Sequence, residues 1–363
     1  MDHLSASVDA VSLAFMSFQF NSEALVRLAR EKYVIAIQKL WLALRNPQLL
    51  TTDITLQAVL VLDLYEKMVN RNPQKPESWM SHVQGAMSLV TVRGNSIFSN
   101  YITCQLAYRL VVTLTISCGA ATLPVPNTLI GLQQGLDSYF DDAKWGFIAI
   151  LTEIVNLQAS LCNGRMRLAC SRDIVEKAWE IDNLLATFEA RLPLHWKPRR
   201  VFCTGYDPRL FAHYYDIYPN HYATQLWNAI RVMRLAMADI VRKHGFEDAS
   251  GTGKSVLKSI SEITLQICAA VPQFILPDAQ PDNILPLSPL QSLQCNTLLA
   301  PLYLAAQVSM DQSMRDWIIR SMQYMAEAGN IKMAQDVAHI LSTNPTMNYW
   351  AVYAMTGSYA FAA

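Results

Sequence analysis

Apolar residues recur at three- and four-residue spacing along almost the whole chain, and nowhere do apolar and polar residues alternate one by one over a strand's length. This is the strongest constraint on the fold. A 3.6-residue period matches one face of a helix and cannot line one face of a sheet, so the chain is predicted to pack helix on helix in an all-α fold. The stretch 77–94, ESWMSHVQGAMSLVTVRG, is representative. Trp79, Val83, Ala86, Met87 and Val90 form one apolar stripe, Arg93 supplies a basic last turn and Gly94 a left-handed stop. The same reading predicts helices over 5–18, 22–44, 53–69, 77–93, 99–118, 144–162, 171–190, 219–243, 255–270, 290–307, 310–328 and 330–342. Asn46-Pro47 closes the second of these, Asn72-Pro73 follows the third, and Pro219 opens the longest. Segments 119–137, 191–212, 245–254 and 271–289 are rich in Pro, Gly and Asp and are predicted as loops. The first and third are expected internal seams of one large domain spanning 1–363.

At 363 residues and 52% hydrophobic, the chain has ample material for a core. Its 29 basic and 29 acidic residues cancel, so no bulk field draws it to nucleic acid or to an anionic membrane, and neither is expected as a direct partner. Cysteines stand at 104, 118, 162, 170, 203, 268 and 295, with no CxxC pair and none of the close clusters that zinc requires. They read as reduced core thiols of an intracellular, cytoplasmic protein. The first twenty residues lack the basic start and small-residue cleavage site of a secretory signal and read as a core helix. The uncharged run 110–132 is long enough to be weighed as a membrane span, but Pro124 and Pro126 interrupt it. It reads as a buried helix ending near Gly119, followed by a Pro-rich loop.

Two stretches imitate ligand motifs. SGTGKS at 250–255 lacks the earlier glycine and the preceding strand of a phosphate loop, and reads as a turn between helices. DSYFDDAKW at 137–145 places Asp137 and Asp141 one helical turn apart, but Trp145 stands where an aspartate-rich metal grip would want a carboxylate; it reads as an acidic helix start. No Ser-His-Asp order, HExxH or glycine-rich dinucleotide fingerprint occurs, so any chemistry is expected to run without metal or cofactor.

The densest chemistry lies in FAHYYDIYPNHYATQLWNAIRVMRL, 211–235. His213, Tyr214, Tyr215, Asp216, Tyr218, His221, Tyr222 and Trp227 combine aromatic surface with hydrogen-bonding groups, the usual lining of a small-molecule site. The same residues equally describe a helix-entry corner held by tyrosine hydroxyls, and both readings stand. Arg234 falls on the apolar stripe of Ala223, Leu226, Trp227, Ile230, Met233 and Met237, where a guanidinium needs a carboxylate; Asp216, Asp63 and Glu66 are the candidates. A structural ion pair and a ligand clamp are the two readings of Arg234. His82, one turn beyond Trp79, reads as a satisfied core histidine or a supporting donor.

LLTTDITLQAVLVLDLYE, SWMSHVQGAMSLVTVRG, YDIYPNHYATQLWNAIRVMRL and MAEAGNIKMAQDVAHIL occur in this order over about residues 5–342 and resemble the carboxy-terminal regulatory domain of fungal binuclear zinc-cluster transcription factors. The closest signatures are Trp79, His82, Gly85, Ala86, Arg93, Gly94 and Tyr215, Asp216, Ala223, Trp227, Asn228, Arg231. The resemblance implies an all-helical domain, dimeric in many members, that binds a hydrophobic small molecule in some. Members read DNA through six closely spaced cysteines near the amino terminus, and here no cysteine precedes Cys104. Two functions follow. One is a stand-alone, cofactor-independent enzyme of fungal secondary metabolism, a cyclase, isomerase or pericyclase, for example one guiding a hetero-Diels-Alder cycloaddition. Tyr215 and His221 are then the candidate catalytic donors, with Trp227, Arg234, His82 and Trp79 as ligand-binding residues. The other is a ligand-sensing regulatory domain, which would place the protein in the nucleus.

Overall fold

Helices carry about three quarters of the described residues of the computed structural model, 2–20, 22–69, 77–162, 171–245 and 252–356. The all-α expectation is met. The chain divides into two compact units, the first ending at Asp142 and the second beginning at Ala143.

The first unit contains α1 (His3–Gln19), α2 (Glu23–Leu44), α3 (Pro47–Leu50), α4 (Asp53–Val69), α5 (Glu77–Arg93), α6 (Tyr101–Ala120) and α7 (Asn127–Leu136). Buried alanines line the seam between α1 and α2: Ala6, Ala10 and Ala14 on one helix, Ala29, Ala36 and Ala43 on the other. Their small side chains let the two backbones approach closely. Asn46 accepts from the Gln48 amide and so caps α3, making it the start of a new helix as much as the close of the last. Two polar ties bind α4 to its neighbours. The Asp53 carboxylate, at the start of α4, accepts from Arg93 at the end of α5 (2.5 Å) and from the Thr103 hydroxyl of α6 (3.0 Å). Deeper in, the buried Lys67 ammonium donates to Asp63 (2.8 Å) and to Ser117 of α6 (2.7 Å). Gly94 has φ +51°, the left-handed stop expected after α5.

The helix read from the 110–132 run ends at Ala120, and sixteen of α6's residues are buried, so its apolar length serves the core. The segment expected as one loop over 119–137 instead holds α7. Its glycines concealed it: a Cβ on Gly135 would stand 2.6 Å from the Phe98 ring, so this position is given to close packing against a neighbour rather than to helix propensity.

The second unit contains α8 (Ala143–Cys162), α9 (Ser171–Arg191), β1 (Arg199–Phe202), β2 (Tyr214–Ile217), α10 (His221–His244), α11 (Thr252–Ala269), α12 (Pro272–Ile275), α13 (Pro289–Asn296), α14 (Leu299–Val308), α15 (Gln312–Gly329), α16 (Lys332–Thr343) and α17 (Tyr349–Thr356). α10 lies at its centre, packed against α8, α9, α11 and α14, and α14 in turn meets α15, α16 and α17. Three corrections belong here, together with one further helix near the carboxy end. The 191–212 loop contains a strand, which pairs antiparallel with β2 in the register Arg199↔Ile217 to Phe202↔Tyr214. Four-residue strands are too short to show alternation. The helix expected over 290–307 is two, because Pro301 has no N–H to bond the carbonyl of Thr297, and the chain restarts with proline in the first turn of α14. The tail 347–363 begins with α17, whose Trp350 and Tyr349 share Gln158 of α8 as their hydrogen-bond partner. Thr252 already starts α11, so Gly253 and Lys254 are helical rather than a turn; Ser250 and Gly251 lie outside the described residues, as does Asn72-Pro73.

Between α12 and α13 the chain runs without regular structure but is tied by buried amides. Gln291 accepts from the Ile284 and Ser288 amides (3.1 and 3.0 Å) and donates to the Phe274 carbonyl (3.0 Å). Asn283 donates to the Gln273 and Leu276 carbonyls, and the Gln273 side chain accepts from the Tyr218 amide.

Of the cysteines, Cys104, Cys118, Cys268 and Cys295 are buried, with burial pushing Cys118 up to about 11 and Cys295 up to about 12. Cys162 is exposed and Cys203 half-buried, so the core-thiol expectation fails for these two; Cys170 lies outside the described residues.

Candidate functional site

Trp79 and His82 fall in the first turns of α5, where the side chains lie outside the described residues. The remaining candidates belong to β2 and α10. Asn220 starts α10 by accepting from the Ala223 amide (2.8 Å), and Pro219 precedes this cap rather than opening the helix itself.

His221 is the first residue of the helix. Its Nε2 meets Gln225 Nε2 at 2.9 Å, and Gln225 Oε1 accepts from Lys144 Nζ of α8 at 3.3 Å. With Oε1 occupied by the ammonium, the Gln225 amide donates to the imidazole, which assigns the ring proton to Nδ1. Nδ1 is buried and has no hydrogen-bond partner, while the Phe274 ring stands edge-on to the imidazole. Burial, and then the Lys144 charge, push the pKa of His221 down to about 4. At neutral pH it is therefore an uncharged donor, with its basic nitrogen already engaged. Such a group polarises or orients an acceptor and is a poor proton acceptor.

Trp227 is anchored. Its indole N–H donates to the Trp196 carbonyl (2.9 Å), which holds the short helical turn before β1. The Trp196 ring meets the Tyr222 ring edge to face at 5.2 Å, and the Lys144 ammonium sits over that Tyr222 ring at 4.0 Å. Tyr215, on the core side of the ribbon, packs with Leu210, Leu276 and Ala279, and burial raises its phenol pKa. No hydrogen bond or ring contact joins Tyr215 to His221 among the described residues.

Arg234 is an ion-pair residue, but with neither of the carboxylates expected in unit one nor with Asp216. Its Nε donates to Asp182 and its Nη1 to Glu189 of α9, both at 2.9 Å. Asp216 is engaged across the ribbon by Arg200 (2.9 and 3.1 Å), Asp63 holds Lys67, and Glu66 accepts from Tyr33. Acidic residues on α9 at seven-residue spacing, 182 and 189, were the available signal.

The second polar inlay in α10 centres on Arg231, which is 3% exposed. Its Nη1 donates to the Tyr218 hydroxyl (2.5 Å) and to Asn228 Oδ1 (3.3 Å), its Nε to Gln266 Oε1 (3.2 Å), and the guanidinium lies 5.4 Å from the Trp227 ring. Every one of these partners is neutral. Sequence reasoning placed Tyr218 and Arg231 in the right stretch but gave the sharper role to Arg234. It missed Lys144 and Gln225, whose significance exists only once α8 is laid beside α10.

Of the acidic residues of 137–145, only Asp142, just before α8, fits the expected helix start, whereas Asp137 follows the end of α7 as its C-cap; no group of three His, Cys, Asp or Glu suited to a metal gathers among the described residues.

No curated protein and no solved structure matches the chain. A family model does, over residues 2–341, and it describes the fungal specific transcription factor domain. With all but residue 1 and residues 342–363 inside that match, and the two signature stretches lying on α5 and on the β2–α10 corner, the chain belongs to the fungal specific transcription factor domain family.

Proposed function

We propose that this chain is a ligand-responsive regulatory domain that binds a hydrophobic small molecule at the entry to α10. The supporting observation is His221: a neutral imidazole whose buried Nδ1–H has no acceptor, edge-on to the Phe274 ring and linked through Gln225 to Lys144, which lies over the Tyr222 ring. A buried donor left unpaired costs about 1–3 kcal/mol, which an acceptor oxygen on an otherwise apolar ligand would recover. Family membership favours regulation as the use of that binding, inside the cell and in the nucleus, with a second copy as partner.

A second reading keeps the site and changes its use. The same uncharged donor, aimed at a carbonyl, would stabilise charge as it develops during a cyclisation, isomerisation or cycloaddition, making the chain a cofactor-free enzyme of fungal secondary metabolism. Native mass spectrometry of the protein incubated with an extract of its producing fungus separates the two. A metabolite recovered unchanged at one per chain supports the sensor, and a new product absent from a heat-denatured control supports the enzyme. If His221→Ala captures or converts the same molecule as well as the parent protein, His221 is not the site.

A further inference from the structure

We propose that the outer edge of β1 is a docking site for an extended acidic peptide of a partner protein, which adds to the ribbon as a third strand. The register decides which backbone groups are free. The Cys203 amide donates to the His213 carbonyl (2.8 Å), continuing the pairing of Phe202↔Tyr214 by one residue. In an antiparallel pair, hydrogen-bonded and non-bonded positions alternate, so residues 203, 201 and 199 face β2 with their backbone groups, and Arg200 and Phe202 face away. The outward N–H and C=O of Arg200 and of Phe202 have no partner in the described residues. Four backbone groups are thereby offered in strand geometry, the arrangement that β-augmentation uses.

The side chains select what can pair there. Val201 turns to the core with Tyr215 and Ile217, while Phe202 on the opposite face is 68% exposed and offers an aromatic surface beside Tyr214. Arg200 is committed to Asp216. Lys197 and Arg199, directly before and within β1, are exposed and make no ion pair among the described residues. A basic edge repels a second copy of itself, which guards against self-pairing, and attracts a strand bearing carboxylates. An incoming chain alternating acidic with β-branched residues would satisfy the four backbone groups, the two free cations and the Phe202 ring together.

The test is fluorescence anisotropy of the full chain with a labelled octapeptide alternating glutamate and valine, against the same peptide with lysine for glutamate. Saturable, salt-sensitive binding of the glutamate peptide alone is expected. Phe202→Pro removes an outward N–H and the exposed ring while leaving the backbone hydrogen bonds to β2 in place, and is expected to weaken binding by about tenfold. Arg199→Glu, a surface change that spares the backbone, is expected to weaken it at least as much. Hydrogen exchange over 199–202 should slow when the peptide is added. The proposal is overturned if the glutamate peptide does not bind, if both peptides bind alike, if Arg199→Glu leaves binding intact, or if a labelled DNA duplex binds in place of the peptide.

Discussion

Arg231 and Arg234 stand one turn apart on the same helix and meet their surroundings in opposite ways. Arg234, with its side chain 21% exposed, lies between two carboxylates, so the local charge is net negative and reaches water. Arg231, 3% exposed, has amide and hydroxyl oxygens and an indole face. The difference teaches where charge can be matched by charge. Near the surface, ion pairing is inexpensive because water still screens and solvates both partners. Around Arg231, bringing a carboxylate down would add a second desolvation penalty, and fixed dipoles serve instead, whereas the buried Lys67–Asp63 pair of α4 accepts that penalty between residues one turn apart.

The sharpest way to break this comparison is to remove Arg231. Arg231→Met is expected to cost about 4 kcal/mol in urea unfolding, because it strands the oxygens of Asn228 and Gln266 in the core. Arg231→Lys should recover little, since one ammonium cannot serve acceptors arranged for a fork. If both variants are as stable as the parent, dipoles are not holding this region. His221 extends the comparison to pH. Its folded pKa of about 4 lies below the ordinary histidine value of 6.5, so the unfolded chain takes up the proton first. Stability is then full above pH 6.5 and falls by up to about 3 kcal/mol as pH drops to 4, a loss that His221→Asn should flatten. The smallest effect is expected at Arg234. Arg234→Gln should cost about 1 kcal/mol and lose its effect in high salt, with Asp182→Asn in the same chain restoring part of it. A larger loss there than at Arg231 would reverse the ranking.

Much of the helical order was legible because long stripes such as that of α10 are unambiguous over seven turns. What escaped reading was set by partners remote in sequence. Gly131 and Gly135 look like breakers until Phe98 is placed against the second of them. The ribbon is four residues a side and took its stability from Leu210, Leu276 and Ala279 beneath it. Within the site, Trp227 and His221 were visible as residue types in an apolar helix, whereas the occupation of the indole by the Trp196 carbonyl and of the imidazole by Gln225 was not. Asp182 and Glu189 escaped as Arg234's partners for the same reason: their seven-residue spacing marks one face of α9 but does not say which helix that face meets.

The segment between α12 and α13 bears on how the protein would survive a protease. It is long, irregular and proline-rich, the composition that ordinarily marks a cleavage point. To be cut, however, a loop must open enough to lie extended in the enzyme's cleft, and opening this one means releasing Gln291 from three backbone partners and Asn283 from two. Digestion should therefore spare it until the surrounding unit unfolds, which makes an intact 276–289 peptide a marker of native protein in a partial digest.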